Sequence, residues 1–207
     1  MLIKSFSVGQ LGTNCYIVTD EKSLYTAVID PGDEANVIMD YVERNCLKVE
    51  HIFLTHGHFD HTGAVLAVAE ETGADIWINE KDIAGSSPGD EDFRFDPQGK
   101  ELMKYSDGDR ILCGGLVFEI IETPGHSSGS VTIKCENALF TGDTLFRESC
   151  GRTDLLSGNM SEMLRSLKKL ADIPGDFEVY PGHMEATTLS REREFNHYIR
   201  CAYTVNK

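Results

Sequence analysis

The stretch LTHGHFDHTG, residues 54–63, places three of the chain's seven histidines and one aspartate within ten positions. It constrains the fold because it lies where the hydrophobic period changes. Ahead of it runs KVEHIFLT, an apolar stretch suited to a buried strand; from about Asp60 to Thr72 the segment DHTGAVLAVAEETG is Ala-rich and helical in pattern. A strand end, a turn and a helix start must therefore meet at these residues. His56 and His58, two apart in extended chain, present both imidazoles on one side, and Asp60 and His61 follow as the helix begins. Gly57 removes side-chain bulk from the turn. Such a cluster cannot bury itself as ordinary core, and its residue types are those of metal ligands.

The remaining segments fall into two groups. LIKSFSV, NCYIVT and LYTAVIDPG read as antiparallel strands divided by turn residues, and EANVIMDYVERN as a helix with Val37, Ile38, Tyr41 and Val42 at helical spacing. DIWINE is a further strand. The polar Gly-, Pro- and Asp-rich region from about Ile83 to Lys104 reads as a loop or lid. RILCGGLVFEIIETPGH, SVTIKCE and NALFTGDTLF are then strand-like, followed by a helix in NMSEMLRSLKKLAD, a strand in FEVYPGH and a helical stretch from about Thr187. Two strand groups, each followed by helices, predict an α+β chain with two sheets packed face to face and helices outside. With 207 residues and 41% hydrophobic content the chain supports one sizeable core, so residues 1–207 are expected to form a single domain.

Charge and cysteine usage narrow the partners. Nineteen basic against 34 acidic residues give a formal charge of −15, which repels nucleic acid and anionic membrane and which divalent metal would partly offset. The start MLIKSFSVGQLGTNCYIV contains neither a signal-peptide pattern nor a membrane span, pointing to a cytoplasmic protein. Six cysteines stand singly, without the C-x-x-C spacing of a zinc knuckle or redox pair.

Three more ligand candidates sit where an apolar run ends in a small-residue turn: His126 in ETPGHSSGS, Asp143 in LFTGDTLF and His183 in VYPGHMEATT. Together the set is five imidazoles and two carboxylates at one sandwich edge, enough for two borderline divalent ions with an open position for water. His51, on the strand leading into the motif, and His197, in the terminal helical stretch, read as non-ligands.

In order, THGHFDH, PGHSSGS, GDTLF and PGH are similar to the motifs of the metallo-β-lactamase superfamily, over nearly the whole chain. The resemblance implies a four-layered αβ/βα sandwich. It implies that His56, His58 and His126 hold a first metal, that Asp60, His61 and His183 hold a second, and that Asp143 bridges them. Asp30 in VIDPGDE matches the amino-terminal aspartate that supports the ligand loop from behind. GDTLFRESCGRTD and YPGHMEATTLSRERE look most like the glyoxalase II branch, hydrolases of thioesters such as S-lactoylglutathione. Two departures stand out: Gly57 occupies the place of a third consecutive histidine, and the carboxy-terminal helical domain of the longer glyoxalase II enzymes is missing, as in the short single-domain bacterial relatives.

The expected enzyme is thus a dinuclear hydrolase acting on a small thioester, with a glutathione-linked one among the candidates, and with zinc the first choice of metal and iron or manganese the alternatives. A water shared between two ions ionises near pH ~7, and Asp60 would orient its attack. Arg147 and Arg152, flanking GDTLF in an acidic chain, are candidates to receive a substrate carboxylate. A mononuclear-iron persulfide dioxygenase and a lactonase-type hydrolase are the alternatives within the superfamily. Neither nucleic acid nor membrane is an expected partner, and the sequence leaves the oligomeric state open.

Overall fold

The structure, a computed structural model, describes residues 1–84 and 94–204. β1 (Leu2–Val8), β2 (Thr13–Thr19) and β3 (Tyr25–Ile29) form the antiparallel meander expected from their alternating patterns. Helix α1 (Ala35–Arg44) carries the chain across to β4 (Lys48–Phe53), which pairs parallel to β3. α2 (Phe59–Thr62) and α3 (Val65–Thr72) lead to β5 (Asp75–Ile78), and β6 (Met103–Lys104) closes this six-stranded sheet in simple sequence order. β7 (Arg110–Cys113), β8 (Leu116–Glu122), β9 (Val131–Cys135) and β10 (Ala138–Gly142) build the second sheet by successive antiparallel pairing. A short hairpin, β11 (Leu145–Phe146) and β12 (Ser149–Cys150), precedes α4 (Met160–Ala171). β13 (Glu178–Pro181) then pairs parallel to β10, and β14 (Thr187–Thr188), α5 (Leu189–Phe195) and α6 (His197–Thr204) complete the fold. Among the described residues no helix is long and apolar enough to cross a membrane.

Apolar residues separate into three clusters, which define four layers. Phe53, Ile29, Phe118, Ile120, Ile133 and Phe140 fill the space between the sheets, with the Phe53 and Phe118 rings 5.0 Å apart. Each such side chain, fully withdrawn from water, contributes about 1.5–3 kcal/mol. Ile38 and Val42 of α1 and Val65 and Val68 of α3 cover the outer face of the first sheet; Met163, Leu167 and Leu170 of α4 cover the second. The α+β, four-layered αβ/βα sandwich is the observed architecture.

Local departures from the sequence reading have physical causes. The helix expected from Asp60 to Thr72 is broken after Thr62, because the Ala64 amide donates to Pro31 O at 2.9 Å, so the helical ladder is interrupted there. The terminal helical stretch begins as strand β14 and is divided at Asn196, whose Oδ1 accepts from the Tyr198 and Ile199 amides and so starts a new helix. On α1 the buried face is Ile38, Met39 and Val42, while Val37 is turned to solvent. Residues 85–93 of the expected lid lie outside the described residues, but its flanks are structured: Phe95 is buried against the first outer cluster and bridges to Ile83, and Met103 and Lys104 form β6.

Candidate metal centre

Every strand that feeds the site ends at the same edge of the sandwich. β4 delivers His56 and His58, α2 carries Asp60 and His61, the turn after β8 holds His126, the turn after β10 holds Asp143, and the turn after β13 holds His183. All seven side chains converge. One imidazole nitrogen each from His56, His58 and His126 lie within 4.8 Å of one another, as do one donor atom each from Asp60, His61 and His183. A third combination, Asp30 with His56 and His61, meets the same limit.

Hydrogen bonds behind the rings decide which nitrogens face inward. His126 Nδ1 donates to Arg152 O at 2.8 Å, His61 Nδ1 donates to Asp30 Oδ2 at 2.9 Å, and His56 Nδ1 lies 3.1 Å from the Thr55 hydroxyl, which itself donates to Asp30 Oδ2 at 2.6 Å. Each of these rings therefore directs Nε2 as a lone pair at the centre. Buried His56 Nε2 has no hydrogen-bond partner, and neither has Asp143 Oδ1. Asp30 lies behind His56 and His61, buried, accepting from the Thr55 amide at 2.8 Å, with its backbone at φ 50°.

The spacing of the inward atoms tests whether an ion fits. Four ligands about a tetrahedral ion at ~2.0–2.1 Å are about 3.3–3.4 Å apart. His183 Nε2 is 3.2 Å from Asp60 Oδ2 and 3.4 Å from His61 Nε2, and His61 Nε2 is 3.6 Å from Asp60 Oδ2. Asp143 Oδ2 lies 3.6 Å from His183 Nε2 and 3.5 Å from His126 Nε2, so one oxygen stands between the two sets. His58 Nδ1 and His126 Nε2 are closer, at 2.8 Å. The donor chemistry, the orphaned His56 nitrogen and the edges of 3.2 to 3.6 Å fit two divalent ions, while the His58–His126 contact is a hydrogen-bond distance that an ion would have to widen.

Electrostatics separate the two sets. Burial and the neighbouring imidazoles hold His56 well below the usual histidine range, and burial followed by His126 pushes His58 down to about 3. Both are neutral, as ligands must be. Burial opposes charge on His61 as well, but the Asp143, Asp30 and Asp60 carboxylates outweigh it and raise the ring to about 9 in the metal-free chain, so an ion held at Nε2 would displace that proton. The bond to Asp60 raises His183; burial works against ionisation of Asp60, and His183 and His61 overcome it.

Several contributors had no visible signal in the sequence. Asp82, buried in a short 3₁₀ turn (Glu80–Asp82), accepts from the Gly57 amide at 3.0 Å, the Ser127 hydroxyl at 2.5 Å and the Gly129 amide at 2.8 Å. One carboxylate therefore ties the His56–His58 turn to the His126 turn. Thr13 Oγ1 donates to Asp60 Oδ2 at 3.1 Å, and Tyr16 Oη and Asn14 Nδ2 donate to Pro181 O at 2.6 and 3.0 Å, fixing the His183 turn from the other sheet.

Other candidates are placed differently. Arg152 lines the groove over the centre but is clamped by Asp154 through Nε and Nη2, at 2.7 and 2.8 Å. Arg147 pairs with Glu185 and does not line that groove. His51 bonds Leu112 O at 3.0 Å and accepts from Trp77 Nε1 at 3.2 Å, away from the centre; His197 is exposed on α6 beside Cys201.

Fold and site define a metal-binding αβ/βα sandwich enzyme. Residues 8–183 match the metallo-beta-lactamase superfamily, and the chain belongs to that superfamily. It is similar to the hydroxyacylglutathione hydrolase GloC of Haemophilus influenzae, 32% identical with 96% of this chain and 98% of that protein covered. Among solved structures it is similar to ETHE1 from Myxococcus xanthus (26% identical, TM-score 0.84, covering 100% of this chain and 92% of that one). It is likewise similar to TTHA1623 in a di-iron-bound form (30% identical, TM-score 0.81, covering 95% and 100%).

Proposed function

We propose that the chain is a dinuclear metal-dependent thioesterase of the glyoxalase II type, hydrolysing small thioesters of the S-lactoylglutathione kind. The observation that carries this reading is the pairing of two compact donor sets around one Asp143 carboxylate, beneath a groove of about 470 Å³. The likeness to the Haemophilus hydroxyacylglutathione hydrolase supports a thioester as substrate. His56, His58 and His126 would hold one ion and Asp60, His61 and His183 the other, with the Asp143 carboxylate within reach of both sets. Two divalent ions, zinc first and iron or manganese as alternatives, supply a water ionised near pH ~7 and a polarised substrate carbonyl.

The chain's own residues do the rest. The Nδ1 bonds of His56, His61 and His126 fix the ring planes, so the donors do not reorient during turnover. Thr13 holds the Asp60 carboxylate, which accepts a hydrogen bond from the attacking water and directs it at the acyl carbon. The sulfur leaves as thiolate with no acid to assist it, because a thiol's pKa is already near ~8.5. No side-chain nucleophile takes part: burial pushes the Cys150 thiol up to about 11.

The test is turnover of S-lactoylglutathione and simpler thioesters by protein whose metal content has been measured. Two bound ions with no thioester hydrolysis refute the reading. The likeness to ETHE1 supports a second one, a mononuclear-iron persulfide dioxygenase. One iron per chain with oxygen consumption on glutathione persulfide selects it.

A further inference from the structure

The groove above the donor atoms has walls of a particular kind. Beyond the ligands its lining is Leu11, Phe59, Phe146, Leu155 and Arg152. Phe59 is 69% exposed, more than any other large apolar side chain among the described residues, and Leu11 is 58% exposed. Isolated apolar exposure is unremarkable, but these two side chains line the same opening, one from the β1–β2 turn and one from the start of α2. A second groove of about 350 Å³ shares Leu11, Phe59 and Asp60 with the first, and the charged groups lining it are the Asp33 and Asp60 carboxylates. The openings form two arms that meet over Asp60, a shape suited to a molecule with a reacting carbonyl in its middle.

Charge is as informative as shape. Among the described residues Arg152 is the one Lys or Arg lining either groove, and Asp154 already engages two of its nitrogens. An anionic arm would meet Asp33 or the neutralised Arg152–Asp154 pair on a chain of net charge −15. Glutathione, with two carboxylates and one ammonium, is such an arm. An uncharged apolar arm instead covers Phe59 and Leu11 and removes them from water.

We propose that the site prefers uncharged thioesters with apolar arms over their glutathione-linked counterparts, an inference that rests on the thioesterase reading above. The reaction is plain hydrolysis: water oxygen bonds to the acyl carbon, the C–S bond breaks, and a carboxylate, a thiol and one proton result.

Two matched series test it on metal-loaded protein: acetyl, butyryl and hexanoyl thioesters of N-acetylcysteamine, which is neutral, and of glutathione. The expected result is a kcat/KM at least tenfold higher for the neutral member of each pair. Within the neutral series it rises with acyl length by up to about fourfold per buried methylene. Phe59→Ser flattens that rise. Asp154→Asn, which frees the Arg152 guanidinium, narrows the gap between the series. Equal or faster turnover of the glutathione series, or no dependence on acyl length, overturns the preference while leaving the thioesterase reading standing. Failure of every thioester in both series overturns that reading itself.

Discussion

A single methyl group at Gly57 is expected to damage the metal centre. A Cβ placed there would lie 2.4 Å from Asp82 O, 2.9 Å from Phe95 N and 3.2 Å from Asp82 Cβ. The first two atoms belong to one hydrogen bond, Phe95 N–H to Asp82 O at 3.1 Å, so the methyl is driven into paired backbone rather than a yielding side chain. Ordinary contact requires the two segments to part by roughly 1 Å, and overpacking of this kind costs about 1–3 kcal/mol. For a domain of this size that is a fall of about 2–12 °C in Tm. The Gly57 amide also donates to Asp82, so the same movement pulls on the bond that ties the His56–His58 turn to the His126 turn. Gly57→Ala should therefore lose metal affinity as well as stability, and Gly57→His, the residue of the longer glyoxalase II enzymes at this place, should lose more. Calorimetric unfolding and metal analysis after dialysis measure both effects. A Gly57→Ala protein with parental Tm and full metal content would show that the turn has slack the contacts deny.

Further outcomes follow from the same geometry. Asp82→Ala leaves the Gly57 and Gly129 amides without their acceptor at about 1–3 kcal/mol each, and metal titration should show weakened binding with no ligand removed. Burial raises the Asp82 pKa above the ordinary 3.8, so the native state binds its proton more tightly than the unfolded chain. Its contribution to stability then declines as pH rises through the interval above 3.8, and Asp82→Asn should remove that slope from unfolding free energies measured across it. Chelation should lower Tm by about 8–16 °C where free metal had stood at ~1,000 times its Kd, a linkage of about 4 kcal/mol; unfolding that ignores chelator argues against ions bound to the native state. Iodoacetamide at pH 8 should label exposed Cys46 first and spare Cys113 and Cys135, whose thiols burial pushes up to about 12; mass spectrometry of the labelled peptides reads the order.

What the sequence disclosed and what it withheld divide along a physical line. The donors were legible because each is a polar residue where an apolar run stops, a signal that depends only on neighbours in the chain. Both sheets were legible for the same reason, since alternation and β-branching are local. The break at Ala64 was not, because it is made by a partner far away, Pro31 O, which takes the Ala64 amide; Asn196 starts α6 through its own neighbours, and what the chain order hides there is the pair of distant acceptors, Phe146 O and Ser149 O, that hold its Nδ2. Asp82 was hidden on the same account. It stands in a polar run resembling any surface turn, and its three donors come from 25 to 47 residues away. Arg147 and Arg152, read from the sequence as receivers of a substrate carboxylate, already meet carboxylates of this chain, Glu185 and Asp154.

That division bears on how the activity is specified. On the proposed reading the donor atoms set which bond is broken, and they come from the short motifs THGHFDH, PGHSSGS, GDTLF and PGH. The groove walls, which on the proposal above select the substrate, are made by Leu11 from the β1–β2 turn, Phe59 from the start of α2, Phe146 from β11 and Leu155 from the loop before α4. Phe59 belongs to both kinds of element, lying inside the ligand motif between His58 and Asp60 with its own side chain turned outward. Substitution at Phe59 should therefore change which thioester is taken with little effect on metal content, whereas substitution at Gly57, two residues earlier, should change metal content first. Measuring bound metal and the acyl-length dependence on Phe59→Ser and Gly57→Ala side by side separates the two functions, and equal losses in both readouts for both variants would mean that they are one.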